Sequence, residues 1–186
     1  MVDLASEVSR QNLVAALWPA DTSPSMKTWV ILDGARDQRI YAAIDKSYLV
    51  SCCLFAGELT SQLRMVVPYL VQLDPDDRLT KFVLDNGWGR AWGVFLRSNA
   101  SLEPLRRHFR KFLRVSDDTG RHLLFRYYDP RVLSVYLPTC TPDELTTFFG
   151  PVDRFAVEAE NGTGMDEYRV TARKLTLAQT DLKSRG

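Results

Sequence analysis

With 186 residues, 45% of them hydrophobic, the chain is long enough for one domain with a real core and gives little room for a second. A formal net charge of +1 removes any general argument for a nucleic-acid or anionic-membrane partner. Three cysteines, Cys52, Cys53 and Cys140, argue against a disulfide framework and for a reducing compartment. With neither a basic-then-apolar leader nor an apolar window of membrane length, the expectation is a soluble, unexported protein.

In chain order, Ser6 to Trp18 carries helical spacing through Leu13, Ala16 and Leu17, and Pro19 to Pro24 ends it, so residues 1–27 read as a helix and linker. Thr28 to Leu32, closed by Asp33-Gly34, predicts a first strand, and Ile40, Ala43 and Ile44 predict a helix after it. Tyr48 to Phe55 is apolar without a clear period, which leaves strand and buried loop both open. Gly57 to Met65 reads as a short helix or an ordered loop. Pro68 to Leu73 predicts a second strand, Asp74-Pro75 a capped helix start with Leu79, Phe82 and Val83 inward, and Asn86-Gly87 a left-handed stop. Trp92 to Arg97 predicts a third strand, followed by a helix capped at Ser98 or Ser101 with Leu102, Leu105, Phe109 and Leu113 on its apolar stripe.

After a turn at Asp117 to Gly120, Leu123 to Tyr128 is apolar or aromatic except at Arg126, the pattern of a strand covered on both faces and central in its sheet. Asp129 and Pro130 then supply an N-cap and a proline at the first helical position. A buried guanidinium needs a carboxylate, and Asp129, Asp33 and Asp74 are the candidates for Arg126. Thr141 to Glu144 matches a capping box for a helix with Leu145, Phe148 and Phe149 inward. Phe155 and Val157 suggest a strand, Tyr168 to Thr171 a last one, and from Thr180 the tail is polar. Strands alternating with helices predict an α/β fold: a single domain at 28–160 with a mixed, partly parallel central sheet flanked by helices, closed by antiparallel strands near the C-terminus. Residues 161–186 supply a strand and a tail.

Two places could carry chemistry. The helix face of Arg106, Arg107, Arg110, Lys111 and Arg114, with His108 beside it, has the density of a phosphate or nucleic-acid site; its plainer reading is a solvated face, and an acidic protein partner would also fit it. Asp33, Arg97, Arg126 and Asp129 fall at predicted strand ends, where open α/β sheets place ligands and where parallel strands would let them converge. Such a set could serve an enzyme acting on a phosphorylated or carboxylated small molecule, but no activated nucleophile or poised base accompanies it, so a structural ion-pair network is preferred. His108 and His122 lack metal-ligand spacing with the cysteines, and Gly87-Trp88-Gly89 lacks the setting of a phosphate loop, so no metal and no cofactor are expected. Trp88 and Trp92 could anchor a partner or fill the core.

Several segments carry a more specific signal: Ile31-Leu32-Asp33-Gly34-Ala35, Pro68 to Leu73, Gly87-Trp88-Gly89 with Trp92-Gly93, Leu96-Arg97-Ser98, Leu105 to Arg110, and above all Phe125 to Leu133. In order and spacing these resemble the type VI secretion adaptor family, the effector chaperones or Tap/TEC proteins, across residues 28 to 157; Phe148 to Val152 is similar to that family's usual ending. The resemblance implies a cytoplasmic, non-catalytic bacterial adaptor that binds a type VI effector and promotes its loading onto the C-terminal region of a VgrG spike. The motif itself does not give the partner contacts; read physically, Asp33, Arg97, Arg126, Asp129 and Pro130 are expected as scaffold, and Trp88, Trp92, Arg106, Arg107, Arg110 and Arg131 as the candidates to meet a partner.

Overall fold

The computed structural model describes residues 10–20, 23–116 and 119–183. The predicted helix residues before Arg10, the turn residues 117–118 and the last three tail residues lie outside these. The hub is β1 (Lys27–Asp33), whose side chains alternate strictly between two cores. Trp29 and Ile31 point into one, Val30 and Leu32 into the other. Around it lie β2 (Ser51–Cys53), β3 (Pro68–Gln72), β4 (Gly93–Ser98), β7 (Arg154–Glu158), β8 (Gly164–Thr171) and β9 (Lys174–Asp181), in the order β2-β3-β1-β4-β7-β8-β9.

Every hydrogen-bonded pair in this seven-stranded sheet is antiparallel, which corrects the expectation of a mixed, partly parallel sheet. The cause lies in the strand order. Helix α4 (Arg78–Gly87) does join two strands of like direction, β3 and β4, but β1 lies between them and runs the other way. Alternation of strands and helices therefore says nothing about which strands become neighbours.

On one face, α1 (Arg10–Leu17), α2 (Gln38–Asp45) and α4 bury Leu13, Leu17, Ile40, Ile44, Leu79 and Val83 against Val30, Leu32 and Val71. On the other, α5 (Leu102–Arg110), α6 (Pro130–Tyr136) and α7 (Pro142–Phe149) bury Leu105, Phe109, Leu133, Leu145 and Phe148 against Trp29, Ile31, Leu96 and Phe155. Cap chemistry sets the helix starts. Asp129 accepts from the amide of Arg131 with Pro130 at the first position, and Thr141 with Glu144 completes a reciprocal capping box. The cap of α4 is Asp77, whose carboxylate accepts from Leu79 N at 2.7 Å, and Asp74 instead closes the preceding turn. Gly87 remains inside α4, where a Cβ would meet the Trp92 ring at 2.8 Å; the left-handed residues come later, at Gly89 and Ala91.

The stretch expected to be a central strand departs most. Only β6 (His122–Leu124) is extended; it pairs with β5 (Arg114–Ser116) in a separate two-stranded ribbon, and Leu123 and Leu124 are 47% and 49% exposed. The aromatic residues that follow are loop, and they enter the core from there: Tyr127 stacks on Phe109 at 5.8 Å and donates to Phe109 O at 2.9 Å. A polar tail from Thr180 is likewise replaced by β9 running to Asp181, with Leu182 fully buried behind it.

The β8–β9 hairpin closes through Ala172 and Arg173, both at positive φ (50° and 64°) in a two-residue loop that favours Asn and Gly. Ala172→Asn is expected to stabilise the fold by about 0.5–1 kcal/mol, since Asn tolerates the left-handed region better. A thermal melt that does not rise would place the strain of this turn elsewhere.

Candidate functional site

Of the four charged residues expected at strand ends, three meet and one does not. Asp33 ends β1, and Asp129 begins α6 directly beside it. Arg126 donates to Asp33, and Arg36 reaches both carboxylates, bonding Asp129 and standing 3.5 Å from Asp33. Arg131 grips Asp129 through Nε at 3.0 Å and Nη2 at 2.9 Å. Each of the four carboxylate oxygens accepts at least one hydrogen bond, the first oxygen of Asp33 from Ala35 N at 3.1 Å. The result is a clasp of two carboxylates and three guanidiniums that fixes the Phe125-to-Leu133 segment to the end of the hub strand.

Electrostatics follows the same geometry. Burial pushes the Asp129 carboxyl upward, yet the Arg131 guanidinium and amide together with Arg36 hold it below the usual carboxylate range. The bond to Asp33 raises Arg126 further, and its guanidinium lies 6.0 Å from the Tyr128 ring centre.

Arg97 is at the opposite end of the sheet, because β4 runs antiparallel to β1 and places Arg97 across from Thr28. There it donates to Leu17 O at 3.3 Å and Met26 O at 3.2 Å, tying α1 and the start of β1 to β4. A converging Asp–Arg pocket built from all four residues therefore does not form.

Trp88 and Trp92 are 7% and 3% exposed and belong to the core under α4, where Trp92 packs against Phe82 at 5.5 Å and Trp88 against Phe95 at 5.8 Å. They offer no anchor at the surface. Their loop is held by Glu158 at the end of β7, which accepts from Gly89 N at 2.6 Å and Ala91 N at 2.8 Å. Nothing in the sequence pattern marks Glu158, since an acidic residue at a strand end reads as solvated.

The basic face of α5 divides. Arg107 and Lys111 are exposed, and His108 is buried with Nε2 donating to Phe148 O at 2.8 Å. Arg110 turns inward and donates to Leu54 O at 2.9 Å and Phe55 O at 2.6 Å. Arg106, bonded to Glu103 at 2.6 Å, and Arg110 together line a cleft of 530 Å³ along the outer edge of β2, shared with Tyr41, Cys53, Arg64 and Tyr69. Burial pushes the Cys52 thiol in this cleft up to about 11, against the pull of Arg106 and Arg110, so it is not an activated nucleophile. Arg131 lines a second cleft, of 680 Å³, with Val135, Glu158, Glu160, Asp166 and Tyr168. Among the described residues no group of three or more His, Cys, Asp or Glu side chains could hold a metal, and no helix is long and apolar enough to cross a membrane.

Burial lowers the His108 pKa from its ordinary 6.5, so the folded chain keeps the ring neutral while the unfolded chain protonates. The stability this provides is present above pH 6.5 and is lost as pH falls through the folded value. Urea titrations between about pH 7 and pH 5 should therefore show wild type losing stability faster than His108→Gln. Parallel slopes would mean the ring protonates in place. Gly150 guards the same contact: its φ is 47°, and a Cβ there would overlap the His108 ring, with Nδ1 at 2.8 Å.

A family model described as a domain of unknown function, DUF4123, matches residues 28–147. That span begins within β1, ends within α7 and contains the whole Asp–Arg clasp and the basic helix. No curated protein and no solved structure is matched.

Proposed function

The chain belongs to the DUF4123 family, and from that premise we propose that it is a non-catalytic adaptor, which binds a type VI secretion effector in the bacterial cytoplasm and promotes its loading onto a VgrG spike. The segments that resemble the type VI adaptors fall almost entirely inside the matched span. The observation that carries the reading is the state of the most specific of them. In Phe125 to Leu133 the charged groups are spent on Asp33, on Arg36 and on one another, as a clasp that holds a scaffold, while accessible relief lies at the sheet edge and beside α6. Rigid elements bearing two separate clefts suit a protein that must hold two partners.

The test is purification of the tagged protein from its native bacterium, with bound proteins identified by mass spectrometry. Recovery of a toxin together with a spike protein is the expected result. Recovery of neither would remove the reading and direct attention to small-molecule ligands of the clefts.

A further inference from the structure

The seven-stranded sheet has an open edge beside a cleft. Strand β2 is its outermost member on one side, and the 530 Å³ cleft runs along that edge. One wall comes from α5, through Arg106 and Arg110; the other comes from α2 and α3 (Ser61–Arg64), through Tyr41 and Arg64. Cys52 belongs to one core and Cys53 to the other, yet both line the cleft, so its floor is the strand edge itself.

Hydrogen-bond parity fixes what that edge presents. Gln72 N donates to Val50 O at 2.8 Å and Leu54 N to Pro68 O at 3.0 Å, so even-numbered residues bond inward to β3. Ser51 and Cys53 therefore turn their backbone N–H and C=O outward into the cleft, where Arg110 Nη2 already takes Cys53 O at 3.4 Å. Among the described residues the walls bear three guanidiniums, from Arg64, Arg106 and Arg110, against the carboxylate of Asp45, with Glu103 beside them paired to Arg106. Arg106 Nε, moreover, is buried with no hydrogen-bond partner among the described residues.

We infer that this slot takes an extended acidic segment of a partner protein, which adds an eighth strand beside β2 through Ser51 and Cys53 and places carboxylates against Arg64 and Arg106. Main-chain bonds to the edge would supply affinity, and the guanidiniums would select the segment by charge. The inference rests on the adaptor reading only in assigning the segment to a partner. Its test needs no effector or spike, so the two can fail separately.

The probe is a labelled synthetic peptide of about eight residues alternating Glu and Val, blocked at both ends, with a Lys-for-Glu peptide as its control. The Glu peptide is expected to bind about tenfold or more tighter than the Lys peptide, weaken with added salt, and slow amide exchange at Ser51 and Cys53. Ser51→Pro removes an outward N–H while leaving the β2–β3 bonds in place, and should weaken binding about tenfold. Arg106→Glu, a change on the cleft wall, should reverse the preference between the peptides. No binding, equal binding of the two peptides, or unaltered exchange at Ser51 and Cys53 in the saturated complex would overturn the inference. So would a concentration-dependent dimer that Ser51→Pro dissociates, because the slot would then hold a second copy of this chain.

Discussion

Gly93→Ala is expected to abolish cooperative folding. Gly93 sits opposite Leu32 where β4 crosses the hub strand, and a Cβ there would overlap the carbonyl oxygen of Ile31, with Ile31 C at 3.0 Å and Leu32 Cα at 3.1 Å. Backbone atoms cannot swing aside as a side chain can. β1 is held by β3 on its other edge, and Asp33 N is tied to Trp92 O at 2.8 Å one residue before the glycine. Separating these strands would cost about 4 kcal/mol or more, a large part of the stability of a domain this size. Urea denaturation followed by tryptophan fluorescence reads the outcome directly, because Trp29 and Trp92 are buried in the two cores. A transition within about 1 kcal/mol of wild type would mean that the strands can part without loss.

The second large effect belongs to the clasp. Asp129→Ala removes the N-cap of α6 and the acceptor shared by Arg36 and Arg131, and a loss of about 2–4 kcal/mol is expected once the solvent exposure of Arg131 is discounted. Asp129→Asn keeps the cap and should recover part of that loss. Asp33 is only 1% exposed, but its partner Arg126 can turn to water, so Asp33→Ala should cost less, about 2 kcal/mol. Because Arg36 joins both carboxylates, the double variant should fall short of the sum by about 0.5–3 kcal/mol. Additive losses would show that Arg36 does not couple them.

The pH dependence of this effect has a definite sign. The folded pKa of Asp129 lies below its ordinary 3.8, so its contribution is present above 3.8 and is lost as pH falls through the folded value. The gap between wild type and Asp129→Ala should accordingly hold at neutral pH and close in strong acid. A gap independent of pH would mean that capping, and not ionisation, accounts for the stabilisation.

Local chemistry was legible wherever one residue type had one use. The proline-led starts of α6 and α7, the Leu/Phe stripe of α5 and the strand pattern of β1, β3 and β4 all follow from periods and caps that neighbouring residues define among themselves. The need of Arg126 for a carboxylate was also legible, because an unpaired guanidinium near a core is too costly. Leu123 to Tyr128 misled for a physical reason. An apolar run with no period looks the same whether it is a buried strand or an exposed ribbon turning into a loop that packs its aromatics.

Local pattern thus settled the helices α2 and α4 to α7, the strands β1, β3, β4 and β7, the caps of α6 and α7 and the charges that must be paired. Tertiary structure alone decided the neighbours. It set β1 between β3 and β4 and so made each pair antiparallel, sent Arg97 to the end of the sheet away from Asp33, sank Trp88 and Trp92 into the core, and left β2 at an edge lined with arginines. Periodicity and capping act over a few residues and are written locally. Strand order and burial depend on contacts between residues far apart in the chain, and no local pattern records which of those contacts will form.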